Sequence, residues 1–424
     1  MNTSLRASRV GLASGALLAA IALTACGATS SGAGGGAAGS PTSSSSGPGA
    51  SGGAGSAPAS GASGAASTGA AAPATAAATS TVTVPSGGPV PIGFAARSVT
   101  FVSTEEAFVL GTAPCAKAPC TSILRTLNRG ASWRGLPAPT VPLAAPFEVT
   151  QPAVWGIRFA NPSDGFVFGN GLWETTDGGE RWTPAASPGD SIVSLEVIDG
   201  QVLAIAASCT ANSGCGQSGT LERRPLAGGA WQAVAQVSVP GAIATQARVA
   251  AVLEGDGVIV TGNGGIGTVD RSGPCSTAGI EAPVSIAVTG PNGLAVLCAG
   301  NGAAGSVDKT VYVSDDLGAH WTKAGSPGRG GDPEGLSAGS TSQLVVAAAS
   351  GASMLYHSAD GGAQWTTAYD EGDGGLGFND LGFTSPADGA VVYGPAQSDG
   401  NAESRPGWLL LTSDGGESWQ PVSF

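Results

Sequence analysis

The stretch Thr412-Ser-Asp-Gly-Gly-Glu-Ser-Trp419 decides how the rest of the chain is read. It has the form Thr/Ser-x-Asp-x-Gly-x-x-Trp, and the form recurs. Thr175, Asp177, Gly179 and Trp182 fit it, as do Ser314, Asp316, Gly318 and Trp321, and Ser358, Asp360, Gly362 and Trp365. Each copy follows a short β-prone run, such as Thr310-Val-Tyr-Val-Ser314 or Trp408-Leu-Leu-Leu-Thr412, and such runs read as strands. Asp accepts N–H bonds inside its own turn, and Gly takes positive φ without steric cost. The leading hydroxyl adds a second local bond. Trp then opens the returning strand and offers a large apolar face to a core. The pattern predicts a hairpin with an internally bonded turn. Four catalytic copies would need four active sites, whereas a repeated fold unit needs every copy. These Asp residues therefore read as structural.

With Trp as the register, further copies emerge. Thr126-Leu-Asn-Arg-Gly-Ala-Ser-Trp133 has Asn in place of Asp, and Arg224-Pro-Leu-Ala-Gly-Gly-Ala-Trp231 keeps only Gly228 and Trp231. The spacing is roughly 45–50 residues, in the range of propeller repeats. Only the gap from Trp231 to Trp321 is double. Val258–Thr261 and Ile266–Gly273 fill that gap as a repeat without Trp, with Cys275 near the vacant position. Each repeat also holds two earlier strands and a tight turn. In the second these are Gly156–Phe159, Asn161–Gly165 and Phe166–Gly169; in the last they are Asp380–Phe383, Ser385–Gly389 and Ala390–Tyr393. Four strands per unit and seven units predict an all-β, seven-bladed β-propeller over residues 86–424. The ring is expected to close by packing of blade faces. The alternative is an added strand from Thr81-Val-Thr-Val84.

The repeated turn resembles the Asp-box, or bacterial neuraminidase repeat, of β-propellers. In that family the box lies at the outer rim, between the third and fourth strands of a blade, and is structural. The resemblance implies rim roles for Asp177, Trp182, Asp316, Trp321, Asp360, Trp365, Asp414 and Trp419. Over roughly residues 90–424 the chain also resembles the lumenal seven-bladed photosystem II assembly factor and sortilin-type propellers, which bind proteins.

The composition separates this domain from what precedes it. Arg6 and Arg9 precede an apolar run from Val10 to Leu23, which reads as an export signal over residues 1–25 rather than a membrane span. It ends in Leu23-Thr-Ala-Cys26-Gly27, which resembles a lipobox. That resemblance implies cleavage before Cys26 and a diacylglycerol on its sulfur; two acyl chains suffice for anchoring. Residues 26–85 are Gly, Ala, Ser, Thr and Pro almost throughout, and no charged residue occurs between Arg9 and Arg97. Such a segment cannot build a core and reads as a disordered tether, spanning ~40–45 Å as a coil. The chain is therefore expected outside the cytoplasm, held to the cell membrane by its lipid. The net charge of −13 argues against nucleic acid and against charge-driven binding to anionic lipid. A monomer is expected.

Apart from Cys26, the cysteines are Cys115, Cys120, Cys209, Cys215, Cys275 and Cys298. An even number in an exported domain reads as disulfides, and neighbours in sequence pair as 115–120, 209–215 and 275–298. Zinc is the competing reading. It lacks a Cys-x-x-Cys, and neither His320 nor His357 is close to a cysteine.

Short turns follow the first strands, at Ser103–Glu106, Asp199–Gly200, Glu254–Gly257 and Gly290–Gly293. Longer segments fall on the opposite face: Gly111–Thr121, Arg134–Val154, Ser208–Thr220, Cys298–Lys309, Ala324–Gly335, Ala368–Asn379 and Gly394–Gly407. Long loops on a rigid scaffold are where binding is expected. One sector there is acidic, with Asp332, Glu334, Asp370, Glu371, Asp373 and Asp380. Asp370-Glu-Gly-Asp373 offers ligands for Ca²⁺, the only cofactor the residues suggest, but a solvated acidic loop is the simpler reading. Arg158, Glu196, Arg248 and Asp380 fall on the expected innermost strands. Ile157 and Phe159 alternate with Arg158, which should turn Arg158 toward the central channel. These four, with Asp370, Glu371 and Asp373, are the candidate ligand contacts. No catalytic set assembles. The Arg-Ile-Pro motif of sialidases is missing, as is a Gly-x-Ser-x-Gly elbow. The favoured reading is a binding module for an envelope protein or cell-wall glycan. The alternative is a carboxylate-based glycoside hydrolase, which needs only paired acids.

Overall fold

The computed structural model describes residues 87–118, 120–144, 152–210, 214–239, 241–246, 248–254, 257–262, 267–275, 281–303, 305–372, 375–394 and 407–424. The expected signal, Cys26, the tether, Thr81–Val84 and Asp373 lie outside them. The regular elements are strands, in seven four-stranded antiparallel sheets. Blade 1 holds β1 (Ala95–Phe101), β2 (Ala107–Thr112), β3 (Thr121–Thr126) and β4 (Arg134–Leu136). Blade 2 holds β5 (Val154–Phe159), β6 (Gly165–Gly169), β7 (Leu172–Thr175) and β8 (Thr183–Ala185). Blade 3 holds β9 (Ser191–Ile198), β10 (Gln201–Thr210), β11 (Gly214–Pro225) and β12 (Gln232–Ser238). Blade 4 holds β13 (Ile243–Gln246), β14 (Val249–Glu254), β15 (Gly257–Gly262) and β16 (Gly267–Ser272). Blade 5 holds β17 (Ala282–Val288), β18 (Leu294–Ala303), β19 (Ser306–Ser314) and β20 (Thr322–Gly325). Blade 6 holds β21 (Asp332–Ala338), β22 (Leu344–Ser350), β23 (Ala352–Ser358) and β24 (Thr366–Glu371). Blade 7 holds β25 (Phe378–Phe383), β26 (Gly389–Tyr393), β27 (Trp408–Thr412) and β28 (Gln420–Pro421). Second and third strands are the most apolar and form the buried layers between blades. The first strand of each blade lines the central channel.

The recurring turn joins third to fourth strands, and its hydroxyl organises it. Thr412 Oγ1 donates to Asp414 Oδ1 at 2.7 Å and accepts from Gly416 N at 2.9 Å. Asp414 Oδ1 also accepts from Ser418 N at 3.0 Å. The same bonds recur around Thr175, Ser314 and Ser358. Gly416 has φ of 97°, which a side chain would resist. In six blades a Trp immediately precedes the fourth strand. In three cases its ring crosses to the blade before. Trp182 Nε1 donates to Pro137 O at 3.0 Å, Trp231 Nε1 to Ala186 O at 2.9 Å, and Trp321 Nε1 to Ser272 O at 3.0 Å. Trp365 and Trp419 instead bond within their own turns. Replacing Thr412 by Val keeps the shape and deletes the hydroxyl. Urea denaturation should show a loss of about 1–2 kcal/mol, the cost of stranding these partners.

The turn carboxylates set an acid limit. Burial pushes Asp177 and Asp414 up, but bonds from Arg181 and Thr175, and from Ser418 and Thr412, outweigh it and hold both below the usual range. The Gln364 N–H and Ser358 hydroxyl lower Asp360, and the His320 side chain and N–H lower Asp316. A carboxylate depressed in the folded state stabilises above its unfolded pKa, near 3.9, and that contribution is lost as pH falls through the folded value. Melting followed by circular dichroism should therefore fall off below about pH 4. Asp414→Asn should flatten that acid limb while lowering stability at neutral pH.

Among the described residues the ring closes by packing, with no strand exchanged between the first and last sheets. Phe94, Val99 and Trp133 of the first repeat cluster with Ala390, Val392 and Leu409 of the last. Phe424 seals the seam, 5.0 Å from the Phe94 ring and 5.4 Å from Trp133. Ala96 N donates to Gly407 O at 2.9 Å across it. All three cysteine pairs are bonded: Cys115–Cys120, Cys209–Cys215 and Cys275–Cys298.

Three sequence expectations are corrected. In blade 4 the innermost strand is β13, so Val258–Thr261 lies on the third strand and most of Ile266–Gly273 forms the fourth. Glu254–Gly257 accordingly joins second to third strands, on the long-connection face. Ser208–Thr220 and Cys298–Lys309 are largely strand, as the ends of two long hairpins; Cys209 and Cys215 stand directly opposite each other in the first.

Candidate functional site

An innermost strand has a sheet partner on one side only, so its free N–H groups need other acceptors. Side chains of the preceding blade supply them. Ile157 N donates to Ser98 Oγ at 3.1 Å, Ile243 N to Ser194 Oγ at 3.2 Å, and Leu336 N to Ser285 Oγ at 3.1 Å. Carboxylates do the same around the last two junctions. Phe378 N donates to Glu334 Oε2 at 2.9 Å, and Val99 N to Asp380 Oδ2 at 3.0 Å. The three serines share a local pattern, Ser98-Val99, Ser194-Leu195 and Ser285-Ile286, each after a register shift.

Those shifts shape the channel. Inserted residues in the innermost strands are Arg97, Trp155, Val193, Val284 and Glu334, and β25 is irregular at Asp380–Leu381. A bulge turns a side chain out of the regular alternation. All but Val284 line a cavity of about 530 Å³ at the centre of the ring. Asp380 has φ of 52°, a left-handed conformation that Asp tolerates better than most residues.

Three of the expected contacts meet in this cavity. Arg158 Nε donates to Glu196 Oε1 at 2.6 Å, and Nη2 donates to Asp380 Oδ1 at 3.0 Å. Nη1 donates to the Ile157 carbonyl at 2.8 Å. The three side chains are only 19%, 21% and 21% exposed, so solvent screens this network weakly. It joins blades 2, 3 and 7 and, through Val99 N, blade 1. Burial alone would lower the Arg158 guanidinium, but Asp380 and Glu196 outweigh it and raise its pKa. Burial raises Glu196 by more than Arg158 lowers it, and Asp380 adds to the rise. Glu334 is pushed up to about 7 by burial, with Asp332 adding, against the Phe378 N–H bond.

The remaining expected contacts lie elsewhere. Arg248 is not on an innermost strand. It is exposed in the β13–β14 turn, on the opposite face, with Nε 2.6 Å from Asp199 Oδ2. Asp370 and Glu371 end β24 on the long-connection side, where the Tyr369 hydroxyl donates to Glu371 Oε2 at 3.1 Å. Among the described residues no three His, Cys, Asp or Glu groups come together as a metal site. Sequence reasoning gave no role to Arg97 or Trp155 and placed Glu334 only in an acidic loop sector. A one-residue insertion has no compositional signature. The repeated Ser-apolar pair after it is the signal that was present.

The fold defines a seven-bladed β-propeller with a polar, ion-paired channel. No family model matches the chain, and no curated protein matches it. Among solved structures it is similar to YCF48 bound to D1 peptide, with 17% identity, a TM-score of 0.50, and coverage of 77% of this chain and 95% of that one. It is also similar to YCF48 from Cyanidioschyzon merolae, at 13% identity and TM-score 0.48, over 77% of this chain and 97% of that one. A third is the GH74 enzyme of Niastella koreensis, at 16% identity and TM-score 0.32, over 77% of this chain and 65% of that one. At these identities the likeness is one of fold.

Proposed function

We propose that this chain is an extracytoplasmic lipoprotein, anchored through Cys26, whose propeller binds and positions a protein of the cell envelope. The observation that carries the reading is the channel. It is a preformed cavity of about 530 Å³ in a ring whose longer connections gather on one face. Arg158 already engages both Glu196 and Asp380. These carboxylates therefore serve the scaffold, and the cavity around them is left for a ligand. The propeller seen bound to D1 peptide supports a peptide-sized partner.

The test is recovery of the tagged full chain from cross-linked native envelopes, beside a screen of the purified chain on chromogenic glycosides. One saturable protein partner and no turnover are expected. Turnover lost in both Glu196→Gln and Asp380→Asn would overturn the reading and make the chain a glycoside hydrolase.

A further inference from the structure

The connection from β20 to β21 runs Ser326-Pro-Gly-Arg-Gly-Gly331 and leads straight into the innermost strand of blade 6. From Gly328 onward it has no apolar side chain, so burial of its own residues cannot hold it. Its glycines also make it costly to order. Yet it lies flat on the seam between blades 5 and 6. A Cβ on Gly328 would stand 2.7 Å from Tyr356 Cε1, and one on Gly330 would stand 2.9 Å from Met354 Cε.

A charge fixes it there. Lys309 of β19 is completely buried. Its Nζ donates to the carbonyls of Val307, Gly328, Arg329 and Gly330 at 3.1, 3.1, 3.0 and 2.9 Å. A lysine ammonium carries fewer hydrogens than these oxygens could take, so they surround it as ligands surround a cation. The Tyr356 ring stands 5.8 Å from Nζ, within cation–π reach, and its hydroxyl donates to Gly330 O at 3.0 Å. Main-chain bonds add to the hold: Val307 N donates to Arg329 O and Gly331 N to Gly305 O, each at 3.1 Å. Burial pushes Lys309 down to about 8, against Asp332 and Asp308 and with Arg329 adding, so the ammonium is still the main form at pH 7.

We infer that Lys309 is a clasp, whose ammonium fills a cation site built from main-chain carbonyls and locks residues 326–331 as a strap across the seam of blades 5 and 6. Without the charge the strap lifts while the ring stays folded. A neutral group of the same length would leave the carbonyls without a donor in a space closed to water, and buried polar groups without partners are costly. Lifting the strap hydrates them. The seven sheets do not include the strap, so its release breaks none of them. Glu334, just beyond it, lines the central cavity, so the clasp sets one border of that cavity. It does so whatever the propeller binds.

Arg329 reports on the strap. Its side chain is 61% exposed, but a protease can cut beside it only when the backbone leaves the seam. The full chain is digested briefly with trypsin at pH 7, and the cut after Arg329 is followed by mass spectrometry. The cut after Arg181, in the turn of blade 2, is the reference. Lys309→Ala should be cut after Arg329 about tenfold faster than the unaltered chain, since cleavage tracks the open population. Its cut after Arg181 should not change, and its melt should stay cooperative. Propylammonium, which supplies the missing stem and head, should restore resistance. Propan-1-ol, of similar size and uncharged, should not. Lys309→Met keeps the volume without the charge; it should be cut like the Ala variant and should not respond to propylammonium. Unchanged resistance in either variant, failure of propylammonium to protect, or equal protection by propan-1-ol overturns the inference. So does loss of the cooperative melt in both variants, which would make Lys309 a core residue of the whole ring.

Discussion

Trp419→Ala should lower the stability of the propeller by about 3–5 kcal/mol, the cost of emptying a large aromatic site in a packed core. Trp419 is 5% exposed and packs with Val345, Leu355, Val391 and Leu410 between the last two blades. Phe383 meets its ring edge-on at 6.3 Å, and Gly416 lies so close beneath that a Cβ there would be 2.5 Å from Val345 Cγ2. The side chain cannot be replaced by small movements of its neighbours. Trp321 holds the same place in the turn but is only partly buried, with its indole N–H on Ser272 O. Trp321→Ala should cost about 1–2 kcal/mol by the same reasoning on a smaller buried area. Guanidinium unfolding of the two variants measures the contrast. Unchanged unfolding with loss of partner binding in Trp419→Ala would make the turn a ligand contact.

Arg158→Met should be comparably damaging, at about 3 kcal/mol, because it strands two carboxylates in a poorly solvated channel. The loss should come from charge, since Met fills much of the same volume. The triple variant Arg158→Met, Glu196→Gln, Asp380→Asn should recover most of it, because replacing a whole buried ionic network is often nearly neutral. Thermal melts at pH 7 measure both. At pH 5 the single variant should lose less, as Glu196, already raised by burial, takes up a proton. Equal losses in the single and triple variants would show that shape, rather than charge balance, holds the channel.

The repeated turn made the architecture legible because its chemistry is local. Thr412, Asp414, Gly416 and Trp419 act within eight residues, so their pattern survives in sequence. Blade 4 was misregistered because it lacks the marker Trp. Its first turn also runs through Arg248 at φ of 70°, a conformation that residue type does not announce. The long hairpins at Ser208–Thr220 and Cys298–Lys309 read as loops because Gly, Ser and Asn mask their pairing. Alternation around Ile157 and Phe159 did turn Arg158 toward the channel. What it meets there was not legible. Glu196 is 38 residues away and Asp380 is 222, and only closure of the ring brings them together. Glu334 was visible as an acidic residue, but its place in the cavity depends on a bulge that shifts register by one.

The central claim is that partners dock on the channel and long-connection face rather than on the face of the repeated turns. Site-specific photocrosslinking tests it directly. A benzophenone amino acid is introduced at Asp370, exposed at the end of β24, and separately at Glu417, exposed in the last turn. Irradiation of native envelopes should give a discrete protein adduct from position 370 and none from position 417. An adduct confined to position 417, or equal adducts from both, would contradict the account.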